Sequence, residues 1–127
     1  MISTKYVVDT YAVIEYIKGN KKYLEVLNEA TSLHTTEFML AELYYILLRE
    51  TTEENADNYF ERFAQYLTRT TESELKQAMR LRLKLKKQRF DISYTDAIGY
   101  QKALELNASF LTGDPAFENR PNVEFIK

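Results

Sequence analysis

The stretch Lys5-Tyr6-Val7-Val8-Asp9 decides the fold, because a short apolar run with two β-branched residues ends abruptly at an acid. Such a run predicts a buried strand. Residues 109–112 predict a later strand, and Asp114 follows it after a single glycine. The carboxyl ends of parallel strands lie at one edge of a sheet, where ligand sites form, so we expect Asp9 and Asp114 to share that edge.

Helical periodicity and helix-start signals fill most of the remaining chain. Strands that alternate with helices predict a parallel sheet covered on both faces, and hence an α/β fold. The spacing predicts helices over residues 11–17, 21–30, 36–48, 53–67, 71–86 and 96–106, and further strands over residues 32–35, near 67–70 and over 123–126.

Three local patterns refine these helices. A threonine stands three residues before a glutamate at Thr51 and again at Thr71, which predicts two capping boxes. Residues 80–86 alternate like a strand, but they contain no β-branched residue and continue the preceding helical spacing, so they predict helix. The helix after Thr36 is apolar on nearly all sides and is expected to lie centrally, with Glu42 inside it.

The composition predicts one globular domain over residues 1–127, with 45% hydrophobic residues and a net charge of −2. This charge gives no global attraction to nucleic acid or membrane, so a polyanion has to be held by a local basic patch or a metal. No apolar stretch approaches the ~20 residues of a membrane span, and the amino terminus lacks the apolar region of a signal peptide. We therefore expect a cytoplasmic protein without a membrane partner, and the absence of cysteine agrees with a reducing compartment.

Four carboxylates are spread over the chain. Three stand where a predicted element begins or ends, and one lies within an apolar helix. If the fold gathers them, each close pair repels by about 1 to 4 kcal/mol, so the group has to take up protons or bind a cation. Oxygen ligands select Mg²⁺ or Mn²⁺, and a single histidine without cysteine disfavours a structural zinc site. These acids are Asp9, Glu42, Asp96 and Asp114.

Each acid also has an ordinary structural role open to it. Asp9 can cap the following helix, Asp96 can complete a capping box with Ser93, and Asp114 can serve the turn before Pro115. Glu42 can be an exposed helix residue. We favour the joint interpretation as a metal site, because Glu42 is flanked by the most apolar segment of the chain and burying an unpaired carboxylate is costly.

The four acids stand in short motifs, which follow one another along the chain as Val7-Val8-Asp9-Thr10, Ala41-Glu42-Leu43, Ser93-Tyr94-Thr95-Asp96-Ala97 and Leu111-Thr112-Gly113-Asp114 with Phe117. This ordered set resembles the PIN domain, and in particular the VapC-type toxin ribonucleases, over essentially the full chain. The resemblance implies a compact three-layer α/β/α sandwich with a short parallel sheet, and an endoribonuclease that depends on Mg²⁺ or Mn²⁺.

The same resemblance implies the roles of the site residues. The four acids bind metal and are catalytic, while Thr10 and Thr112 hydrogen-bond a carboxylate or a metal-bound water. The metal lowers the pKa of its water and offsets charge in the transition state of phosphodiester hydrolysis, which leaves a 5′-phosphate and a 3′-hydroxyl. Many relatives carry a further acid directly before the phenylalanine of the last motif, where this chain has Ala116; Glu118 lies on the other side of Phe117.

Partners follow from the resemblance as well. It implies a cognate antitoxin that inserts a peptide into the active-site groove, and a homodimer; apolar, tyrosine-rich helices in the first half of the chain agree with such contacts. For the RNA substrate we predict a basic stripe that tracks the phosphate backbone, although a solvated helix face is the alternative. The basic stripe consists of Lys76, Arg80, Lys84 and Lys87 on one side of a helix, with Arg89 beyond it.

Several side chains receive ordinary assignments. His34 is interpreted as a surface or strand-end histidine, and the tyrosines and phenylalanines between residues 44 and 66 as core or dimer surface. Arg82 falls inside the apolar arc of its helix, where it either extends its charge to solvent or reaches a carboxylate.

Other function classes remain open. A haloacid-dehalogenase-like phosphatase also begins with an aspartate after its first strand, and its later Gly-Asp-x-x-x-acid pattern is matched by Gly113, Asp114 and Glu118; it needs a second aspartate where this chain has Tyr11. A catalytically inactive PIN-like RNA-binding or scaffold protein is a non-enzymatic alternative. So is a Mg²⁺-binding receiver domain, although Asp57 lies in a predicted helix and not at a strand end.

Overall fold

A computed structural model describes residues 4–127 and contains a parallel sheet with the strand order β2-β1-β3-β4. The strands are β1 (Lys5–Val8), β2 (Ser32–His34), β3 (Ser109–Thr112) and β4 (Val123–Phe125). The helices are α1 (Thr10–Ile17), α2 (Lys21–Glu29), α3 (Glu37–Glu50), α4 (Glu53–Ala64), α5 (Glu72–Lys87) and α6 (Tyr94–Leu106), with a short 3-10 helix at Pro115–Phe117.

Side chains alternate across the two central strands and build one core on each face of the sheet. Val8 and Leu111 pack in a core with residues of α1, α2, α3 and α4. Val7 and Phe110 pack on the opposite face, chiefly with residues of α5 and α6. The three-layer α/β/α sandwich with a short parallel sheet is therefore confirmed.

Helix starts are set by side-chain caps that satisfy free backbone N–H groups. The predicted capping box at Thr71 and Glu74 is complete in both directions. The one predicted at Thr51 is wrong: the Thr51 hydroxyl donates to the Leu47 carbonyl at 2.6 Å and ends α3. Thr52 caps α4 instead, so the residue three positions later is Asn55, whose N–H donates to the Thr52 hydroxyl at 3.1 Å.

Other differences from the predicted elements are local. No strand forms at residues 67–70 in the part of the chain that the structure describes; Leu67 makes one isolated parallel bridge with Thr35. Residues 80–86 are helical, as predicted. Helix α3 is not surrounded by protein on all sides, because Phe38, Tyr45 and Leu48 are exposed. Between residues 4 and 127 no helix is long and apolar enough to cross a membrane.

A buried ion pair fixes the start of α5 against α6. The Lys102 ammonium lies 2.6 Å from the Glu74 carboxylate and donates to the Arg69 carbonyl at 3.0 Å, and its side chain is almost fully buried. Breaking such a pair leaves an uncompensated buried charge, which is strongly destabilising. The pair thus holds the helix that carries Asp96 in place.

Gly99 lets α6 approach β3 closely. A Cβ on residue 99 would lie 2.8 Å from Cε1 of the buried Phe110 ring, which is packed edge-on against Phe117 with 5.0 Å between ring centroids.

Although alanine is the better helix former, we expect Gly99→Ala to lower the free energy of unfolding by about 1 to 3 kcal/mol, measured by urea denaturation. In a Phe110→Leu background the same substitution should cost less. Stabilisation by Gly99→Ala in the parent would contradict this packing.

Candidate active site

The four acids identified in the sequence line one pocket of about 370 Å³ at the carboxyl edge of the sheet. Asp9 follows β1, Asp114 follows β3, Asp96 lies in the first turn of α6 and Glu42 reaches the pocket from α3. The parallel register explains the first two, since β1 and β3 are adjacent and Val8 pairs with Leu111. The remaining lining residues are Thr10, Tyr11, Ser93, Gly113 and Pro115.

The structural roles considered for Asp9 and Asp114 coexist with their place in the pocket. One Asp9 oxygen accepts the Ala12 N–H at 2.7 Å and so caps α1. One Asp114 oxygen accepts the Ala116 N–H at 3.0 Å. In α6 the cap is Ser93, whose hydroxyl accepts the Asp96 N–H at 3.0 Å. Each cap anchors its backbone at the sheet edge, so capping and pocket formation are compatible.

Burial and mutual repulsion raise the pKa values of two of these carboxyl groups. The Asp9 side chain is only 3% exposed. Its pKa rises to about 7, mainly because burial penalises the charged form; Asp96 and Asp114 raise it further, while the Thr112 hydroxyl and the Ala12 N–H lower it. The pKa of Asp96 rises to about 6, again mainly through burial, with Asp114 and Glu42 adding to the effect against the Ser93 hydroxyl.

The two threonines beside the acids differ in their bonding. The Thr112 hydroxyl is fully buried and accepts the Asp114 N–H at 3.1 Å, which links the end of β3 to the acid. The Thr10 hydroxyl is buried at the pocket and has no hydrogen-bond partner among residues 4–127. A buried hydroxyl without a partner is costly. Thr10 can therefore bond to a water or ligand held in the pocket.

The donors fit a hard divalent cation in their chemistry, since the polar groups around the pocket are carboxylates and hydroxyls. Their spacing is more open than a coordination shell: within the described chain, no three acidic or histidine side chains lie close enough together to enclose an ion. Carboxylates repel one another when no counter-ion is present, and this repulsion favours the wider spacing. An ion would have to draw the side chains inward.

Tyr11 forms one wall of the pocket, a position that the sequence analysis did not assign. Its ring packs so closely on Gly113 that a Cβ at residue 113 would overlap it and would lie 2.8 Å from the Ile126 carbonyl oxygen. Glycine is thus required between Thr112 and Asp114. The sequence does hold a signal for Tyr11, because this residue directly follows the motif residue Thr10.

The basic residues predicted to contact RNA lie outside the pocket. All five members of the basic stripe are exposed, and none of them lines the acidic pocket. Arg82 has a definite role: its Nε donates to the Ile92 carbonyl at 2.9 Å, and its guanidinium lies over the Tyr94 ring, 4.2 Å from the centroid. The carboxylate of Asp91 is 3.8 Å away.

Comparisons with known proteins agree with this architecture. The PIN domain family model matches residues 6–123. A comparison of the sequence with curated proteins found no match.

Similar solved structures include a toxin–antitoxin complex from Klebsiella pneumoniae, with a TM-score of 0.76, 16% identity and coverage of 94% of this chain and 95% of that one. VapBC2 from Rickettsia felis, bound to a promoter DNA fragment, has a TM-score of 0.74, 22% identity and coverage of 97% and 98%. VapC20 from Mycobacterium tuberculosis, described as a sarcin–ricin loop cleaving toxin, has a TM-score of 0.74, 16% identity and coverage of 96% and 99%. At these identities the likeness shows the shared fold.

The raised pKa values predict how stability depends on pH without divalent ions. The folded protein holds protons on Asp9 and Asp96 that the unfolded chain has already released, so this stability is fully present below about pH 4 and is lost progressively until the pH reaches about 6 to 7. Asp9→Asn should therefore raise the free energy of unfolding in EDTA by about 1 to 3 kcal/mol more at pH 8 than at pH 5.

Urea denaturation at both pH values measures this effect. Glu25→Gln, at an exposed position on α2, is the matched control and should leave the pH dependence unchanged. A parent protein whose stability increases between pH 5 and pH 8 would show that Asp9 and Asp96 are not held in the environment described here.

Proposed function

This chain belongs to the PIN domain family, and on that premise we propose that it is a metal-dependent endoribonuclease that hydrolyses RNA phosphodiester bonds. We further propose that it is the toxin of a type II toxin–antitoxin pair. The observation that carries the proposal is the convergence of Asp9, Glu42, Asp96 and Asp114, from four separate elements, on one pocket. A fold has no structural need for such a costly arrangement.

In this proposal the four carboxylates hold Mg²⁺ or Mn²⁺. The bound ion would supply a water of lowered pKa and positive charge for the transition state. Burial raises the pKa of Asp9 to about 7 without an ion, and a bound cation would favour the charged carboxylate, so Asp9 would act as a ligand of the ion. Asp114 is held by its own cap, and the Thr10 hydroxyl, which has no partner among residues 4–127, is available to orient the attacking water.

The basic stripe is proposed to bind the RNA backbone. Its side chains are exposed on α5 and just beyond it, and none of them lines the acidic pocket. They can therefore contact phosphates of a bound RNA strand without forming ion pairs with the pocket carboxylates. A local positive surface is what a protein of net charge −2 requires to hold RNA.

An antitoxin and a second copy of the chain are the proposed protein partners. Similar structures from Klebsiella pneumoniae and Rickettsia felis are a toxin–antitoxin complex and a VapBC assembly. The chain offers an apolar surface for such contacts, because Tyr45 is 62% exposed on α3 and a groove of about 480 Å³ runs between α3 and α4. Residues lining this groove include Ala41, Tyr44 and Phe60. We propose a cytoplasmic location for the pair.

A catalytically inactive PIN-like RNA-binding or scaffold protein is the second candidate. The open spacing of the carboxylates in the described residues favours it, because a site that never closes on an ion would not hydrolyse RNA. The phosphatase alternative has no such support: Glu118 is exposed and lies outside the pocket lining, and Tyr11 occupies the position that requires an aspartate.

Cleavage of a labelled RNA panel in Mg²⁺ or Mn²⁺ tests the proposal. Asp9→Asn and Asp96→Asn should each lower the cleavage rate by about 100-fold or more, because each removes an acid from the pocket. Glu118→Gln should leave the rate unchanged, and EDTA should abolish cleavage. Cleavage that persists in EDTA and in both substitutions would contradict the mechanism, and a parent without activity would favour the inactive scaffold.

The basic stripe has its own test in the salt dependence of RNA affinity. Arg80→Gln combined with Lys84→Gln should weaken binding and reduce the slope of log affinity against log salt by about 1 to 2, since each lost phosphate contact removes about 0.7. The double substitution Lys21→Gln and Lys22→Gln removes two exposed cations from α2 as a control. Equal slopes in all three proteins would assign the basic stripe to solvated surface.

A further inference from the structure

An exposed tyrosine stands beside the acidic pocket at the start of α6. Tyr94 directly follows Ser93, which lines the pocket, and precedes Asp96 within the same helical turn. Its side chain is 63% exposed. The ring does not line the pocket, but the backbone of Tyr94 lies between two residues that do, Ser93 and Asp96.

Arg82 covers one side of this ring and is itself held in place. The guanidinium centre lies 4.2 Å from the Tyr94 ring centroid. Its Nε donates to the Ile92 carbonyl at 2.9 Å, and only 23% of the side chain is exposed. This hydrogen bond from α5 to the segment before α6 holds the arginine in place, and the arginine in turn restricts the orientation of the Tyr94 ring. Tyr94 therefore keeps an open side toward solvent in a defined orientation.

The other exposed tyrosine–arginine pair shows how different this arrangement is. Arg49 lies 5.5 Å from the Tyr45 ring, is 56% exposed, and its nearest acidic partner is the sequence neighbour Glu50 at 3.8 Å. That pair joins two exposed side chains of one helix. The pair of Arg82 and Tyr94 joins two helices and is anchored by a backbone carbonyl, which is the kind of preorganisation that a binding surface requires.

We propose that Tyr94, backed by Arg82, is a stacking platform for one unpaired base of the RNA strand, next to the nucleotide whose phosphate enters the acidic pocket. Single-stranded RNA is bound largely by stacking of splayed bases on aromatic rings and arginine planes. The positive charge of Arg82 holds the ring by a cation–π contact. The same charge attracts the RNA phosphates next to a negatively charged pocket. The inference rests on the proposed RNA substrate and identifies a residue that positions it.

Stacking also explains the arginine inside an apolar arc. A leucine at position 82 would suit the interior side of α5, whereas a guanidinium has to be desolvated there in part. Arg82 meets a carbonyl and an aromatic face, with the Asp91 carboxylate only at 3.8 Å. Its clearest contacts thus serve to orient the segment before α6 and the ring of Tyr94.

The binding experiment uses the Asp9→Asn protein, which is expected to bind RNA without cutting it, and a fluorescently labelled single-stranded RNA of mixed sequence. Tyr94→Ala in that background should weaken the affinity by about 5- to 100-fold, the range found for loss of one base–aromatic stack. Tyr94→Phe should retain the affinity within about twofold, because the ring remains. Leu83→Ala, which truncates another exposed side chain on α5, is the control and should have no effect.

A second experiment separates stacking from a structural role. After the cleavage position has been mapped with the parent, each nucleotide flanking it is replaced in turn by an abasic one. At one position the abasic RNA should lower kcat/KM for the parent as much as Tyr94→Ala does on intact RNA, with no further loss when both changes are combined. The stacking platform would be overturned if the losses in kcat/KM from the abasic nucleotide and from Tyr94→Ala were additive at every position. It would also be overturned if Tyr94→Ala did not change the RNA affinity of the Asp9→Asn protein.

The two proposals fail in different ways. A parent that binds RNA through Tyr94 but cuts no RNA would contradict the nuclease function and leave the stacking platform standing. A parent that cuts RNA while Tyr94→Ala binds and cuts equally well would contradict the stacking platform alone. A parent that binds no single-stranded RNA would overturn both.

Discussion

The burial of carboxylates at one edge of a parallel sheet is the constraint on which the rest of this structure depends. The register of β1 and β3 brings Asp9 and Asp114 together, and the caps that these acids form hold the backbone there. Helices α3 and α6 add Glu42 and Asp96 to the same pocket. The raised pKa of Asp9 reflects the cost of this arrangement, mainly through burial of its carboxyl group and in smaller part through repulsion by Asp96 and Asp114.

The surrounding structure makes this arrangement possible. Two cores on opposite faces of the sheet fix the strands, and the buried pair of Lys102 and Glu74 ties α6 to α5. Two features of the pocket are less constrained than these cores. The Thr10 hydroxyl has no partner in the described chain, and the carboxylates there are spaced too widely to enclose an ion. The hydroxyl without a partner agrees with a site that a ligand completes, whereas the wide spacing requires the carboxylates to move inward before they can enclose an ion.

Elements with strong local signals could be predicted from the sequence. The apolar run before Asp9 and the cap at Thr71 are local, and both appear in the structure as expected. The cap at Thr51 was misplaced by one residue: Thr51 has the threonine–glutamate spacing of a capping box, but the structure uses the adjacent Thr52, which stands three residues before Asn55. Glu42 was singled out by the apolar segment that flanks it and by the family resemblance, whereas the contact of Arg82 with Tyr94 was not predicted, since it depends on how α5 packs against α6.

Direct titration of the protein with Mn²⁺ by calorimetry tests the central claim most directly. If the gathered carboxylates form a cation site, the ion should bind at pH 8, bind more weakly at pH 5.5 where Asp9 and Asp96 retain their protons, and release protons on binding at the lower pH. Binding that is absent at pH 8, or that is unchanged by replacing Asp9 and Asp96 with asparagine, would contradict the account.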